Sequence, residues 1–183
     1  MHKNYSKLID QASKGDRRAQ QQLFDMFSPK MLGVCRQYLK DNNLAEEVML
    51  SGFLKMFVHL SDFKNEGSFE GWIRRIMVNE CISKLRKDKK LNFVSEAAIE
   101  NTTEYSTYIE TELEAAEIQK LIDSLPDGYK TVFVLYVVEG YKHSEISELL
   151  QISENTSKTQ LFKARKMLQN KVNKQNNICY GTL

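Results

Sequence analysis

The sequence predicts an all-α protein of two small helical domains joined by an acidic linker, the second a helix-turn-helix domain of winged-helix-like kind. Three observations lead there. Only two prolines and eight glycines interrupt 183 residues, and apolar residues recur at i, i+3 and i+4 nearly throughout. A polar, weakly periodic stretch separates two periodic halves, as a linker would. Charge also alternates along the chain. Trp72 to Lys90 sums to +5, Leu91 to Gln119 carries seven glutamates and no Lys or Arg, and Glu154 to Lys174 sums to +5 again. The overall charge of +2 hides this pattern.

Taken in order, Leu8, Ile9 and Ala12 make a first short apolar face, which ends at Gly15-Asp16. Ala19, Leu23, Phe24 and Phe27 make the next, and Pro29 is expected to open a separate segment with Met31, Leu32, Cys35, Tyr38 and Leu39. After Asp41-Asn42-Asn43 a longer helix carries Leu44, Val48, Phe53, Leu54, Phe57 and Val58. Ser61 to Ser68 has loop composition, and helix resumes with Trp72, Ile73, Ile76, Cys81, Ile82 and Leu85. The first domain is therefore assigned to 1–90 and the acidic linker to 91–112.

The second domain, 113–175, opens with Leu113, Ile118, Leu121 and Leu125 and breaks at Pro126-Asp127-Gly128. Val132, Phe133, Leu135 and Tyr136 follow, up to Glu139-Gly140-Tyr141. Next come a short helix with Ile146, Leu149 and Leu150, a tight connection through Gln151-Ile152-Ser153, and a long basic helix with Leu161, Phe162, Ala164, Leu168 and Val172. Two helices joined so closely, the second one basic, have the shape of a helix-turn-helix, with Ser153 as N-cap of the second. Residues 176–183 are left as a tail.

Composition narrows the function. Cys35, Cys81 and Cys179 are odd in number and lack metal-ligand spacing, so neither a disulfide framework nor a metal site is expected. His2, His59 and His143 are scattered, and no phosphate loop or nucleophile motif occurs, so no cofactor and no enzymatic activity are expected. Met1 to Lys14 is polar, and no stretch approaches the roughly 20 apolar residues of a membrane span, so a cytoplasmic chain without membrane insertion is expected. Two basic helical stretches suit a polyphosphate partner, although either alone would read equally well as a solvated face.

The C-terminal half, LPDGYKTVFVLYVVEGYKHSEISELLQISENTSKTQLFKARKML, resembles region four of the extracytoplasmic-function (ECF) sigma factors of RNA polymerase nearly end to end. The N-terminal half is similar to their region two through AEEVMLSGFLKMFVHLSDF and SFEGWIRRIMVNECISKLRKDK, with Trp72, Arg75-Ile76, Asn79 and Leu85-Arg86 at the family's positions. The first domain is what separates such a factor from an ordinary helix-turn-helix regulator.

The resemblance implies partners and sites. The last helix would read the minus-thirty-five element as duplex through Lys158, Thr159, Gln160, Phe162, Lys163, Arg165 and Lys166. Cations there reach phosphates or guanine edges, and Phe162 either contacts a thymine methyl or joins the core. The helix from Phe69 to Arg86 and the loop before it would hold the melted minus-ten strand through Phe63, Lys64, Trp72, Arg75, Asn79, Lys84 and Arg86. Asn79 has the donor and acceptor to read a flipped base, whereas a lone Trp more often packs.

Leu44 to Leu60 resembles the segment that docks on the coiled coil of the polymerase's largest subunit, through Glu46, Glu47, Leu50, Ser51, Phe53 and Phe57, with the flap region as a second contact. The family pattern is broken at Leu50 and Ser51, where Gln and an acidic residue are usual, and at Ser83, Gln151 and Asn155. Leu50 either joins the core or lies exposed at the interface. The implied function is promoter recognition, melting and transcription initiation with core RNA polymerase. A sigma-like adaptor with weakened docking, placed by a partner, is the alternative, and an anti-sigma factor or recruiting protein is the further partner.

Overall fold

The computed structural model of the chain describes residues 5–64, 67–88, 91 and 115–180, with side chains of the last helix described to residue 173. The acidic linker, Leu91 apart, lies outside the described residues. The chain divides into two units, Met1–Asp88 and Lys89–Leu183. No strand occurs among the described residues.

In the first unit, α1 (Ser6–Ser13) ends in a turn where Gly15 adopts φ +87°, a conformation that a β-carbon would disfavour. Asp16 then caps α2 (Arg17–Tyr38), accepting hydrogen bonds from the backbone N–H of Arg18 at 2.8 Å and Ala19 at 3.1 Å. The break expected at Pro29 does not occur. α2 runs through it, because Ala19, Leu23, Phe27, Met31, Val34, Cys35 and Tyr38 keep one buried face in register across the proline. Packing along that face outweighs the one backbone hydrogen bond that proline forfeits.

α3 (Asn42–Val58) is capped by Asp41, which accepts from Leu44 N–H at 2.8 Å. A short 3₁₀ turn (Leu60–Asp62) follows, and Ser68 caps α4 (Phe69–Lys87). α2, α3 and α4 pack mutually around Leu23, Met31, Cys35, Tyr38, Phe53, Met56, Ile73, Met77 and Cys81. α3 and α4 run antiparallel, with Glu47 on Lys84 at 3.2 Å at one end and Lys55 on Glu80 at 2.8 Å at the other. Gly52 lies between these pairs, against Met77.

The second unit comprises α5 (Ala115–Asp123), α6 (Asp127–Phe133), a π-helical segment (Val134–Val138), α7 (His143–Leu150) and α8 (Glu154–Tyr180). α8 thus continues through 176–180, which the sequence reading left as tail. The π segment was not foreseen either. It forms as Glu139 N–H reaches back to the Val134 carbonyl at 3.0 Å and Tyr141 N–H to Leu135 at 2.9 Å, and Gly140 at φ +76° then turns the chain into α7.

α6 and α7 both pack on α8, with Leu125, Val132, Val134, Leu135, Ile146, Leu150, Leu161 and Ala164 buried. Lys130 is wholly buried, its ammonium 2.6 Å from the Asp123 carboxylate, which ties α6 to α5. Between α7 and α8, Gln151 takes the left-handed conformation (φ 55°, ψ 48°) and the Ser153 hydroxyl accepts from Thr156 N–H at 3.0 Å. The tight turn and the N-cap expected from the sequence are both present.

Candidate nucleic-acid interface

α8 begins at Glu154, directly after the capping Ser153. Its outward residues are Lys158, Phe162, Arg165 and Lys166, at i, i+4, i+7 and i+8, with Lys163 half-buried at the edge. Phe162 is 43% exposed, so the core alternative for this residue fails.

Two expected members leave the set. Thr159 is buried, and its hydroxyl donates to the Asn155 carbonyl at 2.9 Å. Gln160 is 0% exposed, with neither amide atom hydrogen-bonded, so it offers nothing to DNA. The reason is register. Gln160 stands beside Leu161 and four residues before Ala164, on the side that packs inward.

Sequence reasoning missed the groups bordering this face. His143, first residue of α7, stacks on Tyr136 (centroids 4.6 Å apart, planes at 25°), and its Nδ1 lies 2.8 Å from the buried Ser157 hydroxyl. Arg165 lies over the same Tyr136 ring, 5.8 Å from its centroid, and Lys158 is within 3.8 Å of Glu154. Partial burial first, then the Lys158 charge, hold the His143 imidazole below its ordinary value; Glu154 offsets part of this, and Arg165 adds to the lowering. His143 is therefore neutral near pH 7.

In the first unit, Arg75, Asn79 and Arg86 are exposed along one stripe of α4 at i, i+4 and i+11. Lys64 is exposed in the loop before it. Phe63 and Trp72 are half-buried; their rings are tilted against each other at 5.4 Å, Phe63 meets Phe69 edge-on at 5.1 Å and Trp72 stacks on Phe69 at 5.9 Å, so Trp72 is held in an aromatic cluster as a packing residue would be. Lys84 does not join the stripe. It lies half a turn round the helix and pairs with Glu47 of α3.

The expected docking face is also rotated. Phe53 is buried, edge-on to Phe24 at 4.8 Å, and Phe57 is half-buried. Leu50 is 54% exposed, and Leu54 and Val58, both taken from the sequence as part of the apolar face, are each 68% exposed. With Glu46, Glu47 and Ser51 they form a continuous apolar stripe with a polar margin. Among the described residues no cluster of three or more His, Cys, Asp or Glu has the spacing to hold a metal ion.

The described residues thus hold a helix-turn-helix whose second helix exposes a cationic face, and a separate helical unit with exposed Arg75 and Arg86 on α4 and an exposed apolar stripe on α3. Residues 23–91 match the model of sigma-70 region 2, and residues 115–168 that of sigma-70 region 4. The chain is 31% identical to the ECF RNA polymerase sigma factor SigW of Bacillus subtilis over 175 residues, covering 88% of this chain and 93% of that protein. It is 25% identical to the ECF RNA polymerase sigma-E factor of Haemophilus influenzae, over 90% of this chain and 93% of that one. The chain belongs to the ECF sigma factors of the sigma-70 family and serves transcription initiation. Its fold is shared with the sigma factor RpoE of Bartonella quintana, solved with the anti-sigma factor NepR, at a TM-score of 0.53 and 17% identity, over 82% of this chain and 94% of that one.

Proposed function

We propose that the chain works in the cytoplasm as a recognition subunit without a reaction of its own, binding core RNA polymerase through α3 and promoter DNA through α4 and α8. The observation that carries this is the exposed face of α8. Lys158, Arg165 and Lys166 bracket Phe162 there, a set suited to phosphates, guanine edges and a thymine methyl in a major groove. On α4, Arg75 and Arg86 flank Asn79, which suits a melted strand whose backbone is held by cations while a base is read. Leu50, Leu54 and Val58 are the surface we assign to the coiled coil of the polymerase's largest subunit. The flap region is the expected contact of the second unit. An anti-sigma factor is the further partner expected, as the Bartonella sigma factor is solved in complex with one.

The test is transcription in vitro with core polymerase and this chain over a library of random promoters. Selected transcripts should share an upstream and a minus-ten element. Lys158→Ala with Arg165→Ala should relax the upstream element alone, because each good base contact discriminates by about 1–3 kcal/mol. Transcripts with no common element, or an upstream preference untouched by both substitutions, would refute the assignment.

A further inference from the structure

His143 is held from two elements. Its ring lies on Tyr136 of the π segment, and its Nδ1 meets the hydroxyl of Ser157, buried in the first turn of α8. Nε2 is the nitrogen left for a ligand. The next residue of α8 after Ser157 is Lys158, and Arg165 covers the same tyrosine, so two permanent cations border the imidazole. The ring also stands at the first residue of α7, the end of the helix dipole that favours an anion. We propose that His143 is a proton-linked contact for a backbone phosphate of duplex DNA, so that the second unit binds DNA more tightly as pH falls. This rests on the reading of α8 as a DNA-binding helix and adds a ligand-binding residue to it.

Partial burial of the ring lowers its pKa first, and the charged neighbours modify that. Lys158 and Arg165 of α8 oppose protonation, and Glu154 favours it while pairing with Lys158. Tyr136 presents its ring, and Glu145 of α7 is engaged by the Lys142 backbone N–H at 2.8 Å. In the free chain the imidazole is therefore held below its ordinary value of about 6.5. A phosphate beside it supplies negative charge and raises the value, so DNA binding takes up a proton. The gain in affinity is complete below the free-state value and is lost as pH rises through the DNA-bound value. His2 and His59, the remaining histidines, belong to the first unit.

The experiment measures affinity of the full chain for a fluorescein-labelled duplex of mixed sequence, by anisotropy, between about pH 5.5 and pH 8. Wild type should tighten by roughly three- to tenfold more than His143→Gln over that range, up to tenfold for each unit of raised value. His143→Lys should bind at pH 8 as wild type does in acid, and it serves as the second variant should the glutamine disturb folding. Calorimetry in two buffers of different ionisation heat should show proton uptake by wild type and none by His143→Gln. Equal pH slopes in wild type and His143→Gln overturn the proposal. Lys158→Ala and Arg165→Ala, measured at pH 8, separate the two failures. If they weaken binding while the slopes stay equal, only the role of His143 falls; if they do not, the DNA-binding face falls with it.

Discussion

Gly52 of α3 lies against Met77 of α4, and replacing it with alanine sets two effects of known size against each other. In a helix interior alanine is better than glycine by about 1 kcal/mol. Here, however, a β-carbon would overlap Met77 Sδ and lie 3.0 Å from its Cε and 3.8 Å from Glu80 Cγ. Met77 is fully buried, so its thioether has to move into an occupied core, an overpacking that destabilises by about 1–3 kcal/mol. The net expectation for Gly52→Ala is a loss of about 1 kcal/mol, and Gly52→Val, larger and a poorer helix former, should lose more. Shortening the obstacle reverses the sign: in a Met77→Val background Gly52→Ala should stabilise by up to about 1 kcal/mol. The assay is urea unfolding followed by Trp72, the chain's single tryptophan, which packs on Phe63 and Phe69 in the same unit. The midpoint should move with the slope unchanged. A stabilised Gly52→Ala in the wild-type background, or no coupling to Met77→Val, would show that the two helices do not meet at this point.

Gln151→Gly should raise the melting temperature, because a non-glycine residue at φ 55° is strained by roughly 1 kcal/mol; an unchanged melt would show the strain to be relieved locally. Lys130→Ala should destabilise the second unit by about 3 kcal/mol in thermal unfolding, since it removes the buried ammonium that neutralises the Asp123 carboxylate and empties its place in the core. Asn79→Ala should spare duplex binding yet impair promoter opening, read by permanganate footprinting, and normal melting would remove Asn79 from the site. Leu54→Arg should weaken competition for core polymerase by about tenfold or more, corresponding to about 1.4 kcal/mol, with the fold intact because the side chain is 68% exposed; unchanged competition would move the docking surface off α3.

The features legible in the sequence are those that depend on neighbours along the chain. Ser153 was expected as an N-cap and is one, because its acceptor lies three residues before the Thr156 N–H; Asp16, Asp41 and Ser68, expected only as parts of breaks or a loop, cap their helices by the same local chemistry. The two helical halves, the turn through Gln151 and the cationic helix after it follow from spacing and charge in the same way. What the sequence left open is which sector of each helix faces the core. α3 carries apolar residues nearly all round, so its period does not separate Phe53, buried against Phe24, from Leu50, Leu54 and Val58, which remain outside. On α8 the same uncertainty put Thr159 and Gln160 outward, until α6 and α7, packing on it from earlier in the chain, claimed that side. Lys84 looked like one more cation of a basic helix, and only the antiparallel approach of α3 gave it Glu47 as partner. Pro29 was read as a break because local backbone chemistry disfavours it inside a helix; seven buried residues along one face of α2 decided otherwise. Short-range chemistry thus determines where helices start, stop and carry charge, whereas the contacts of residues far apart in sequence determine which of their side chains remain free to meet DNA or polymerase.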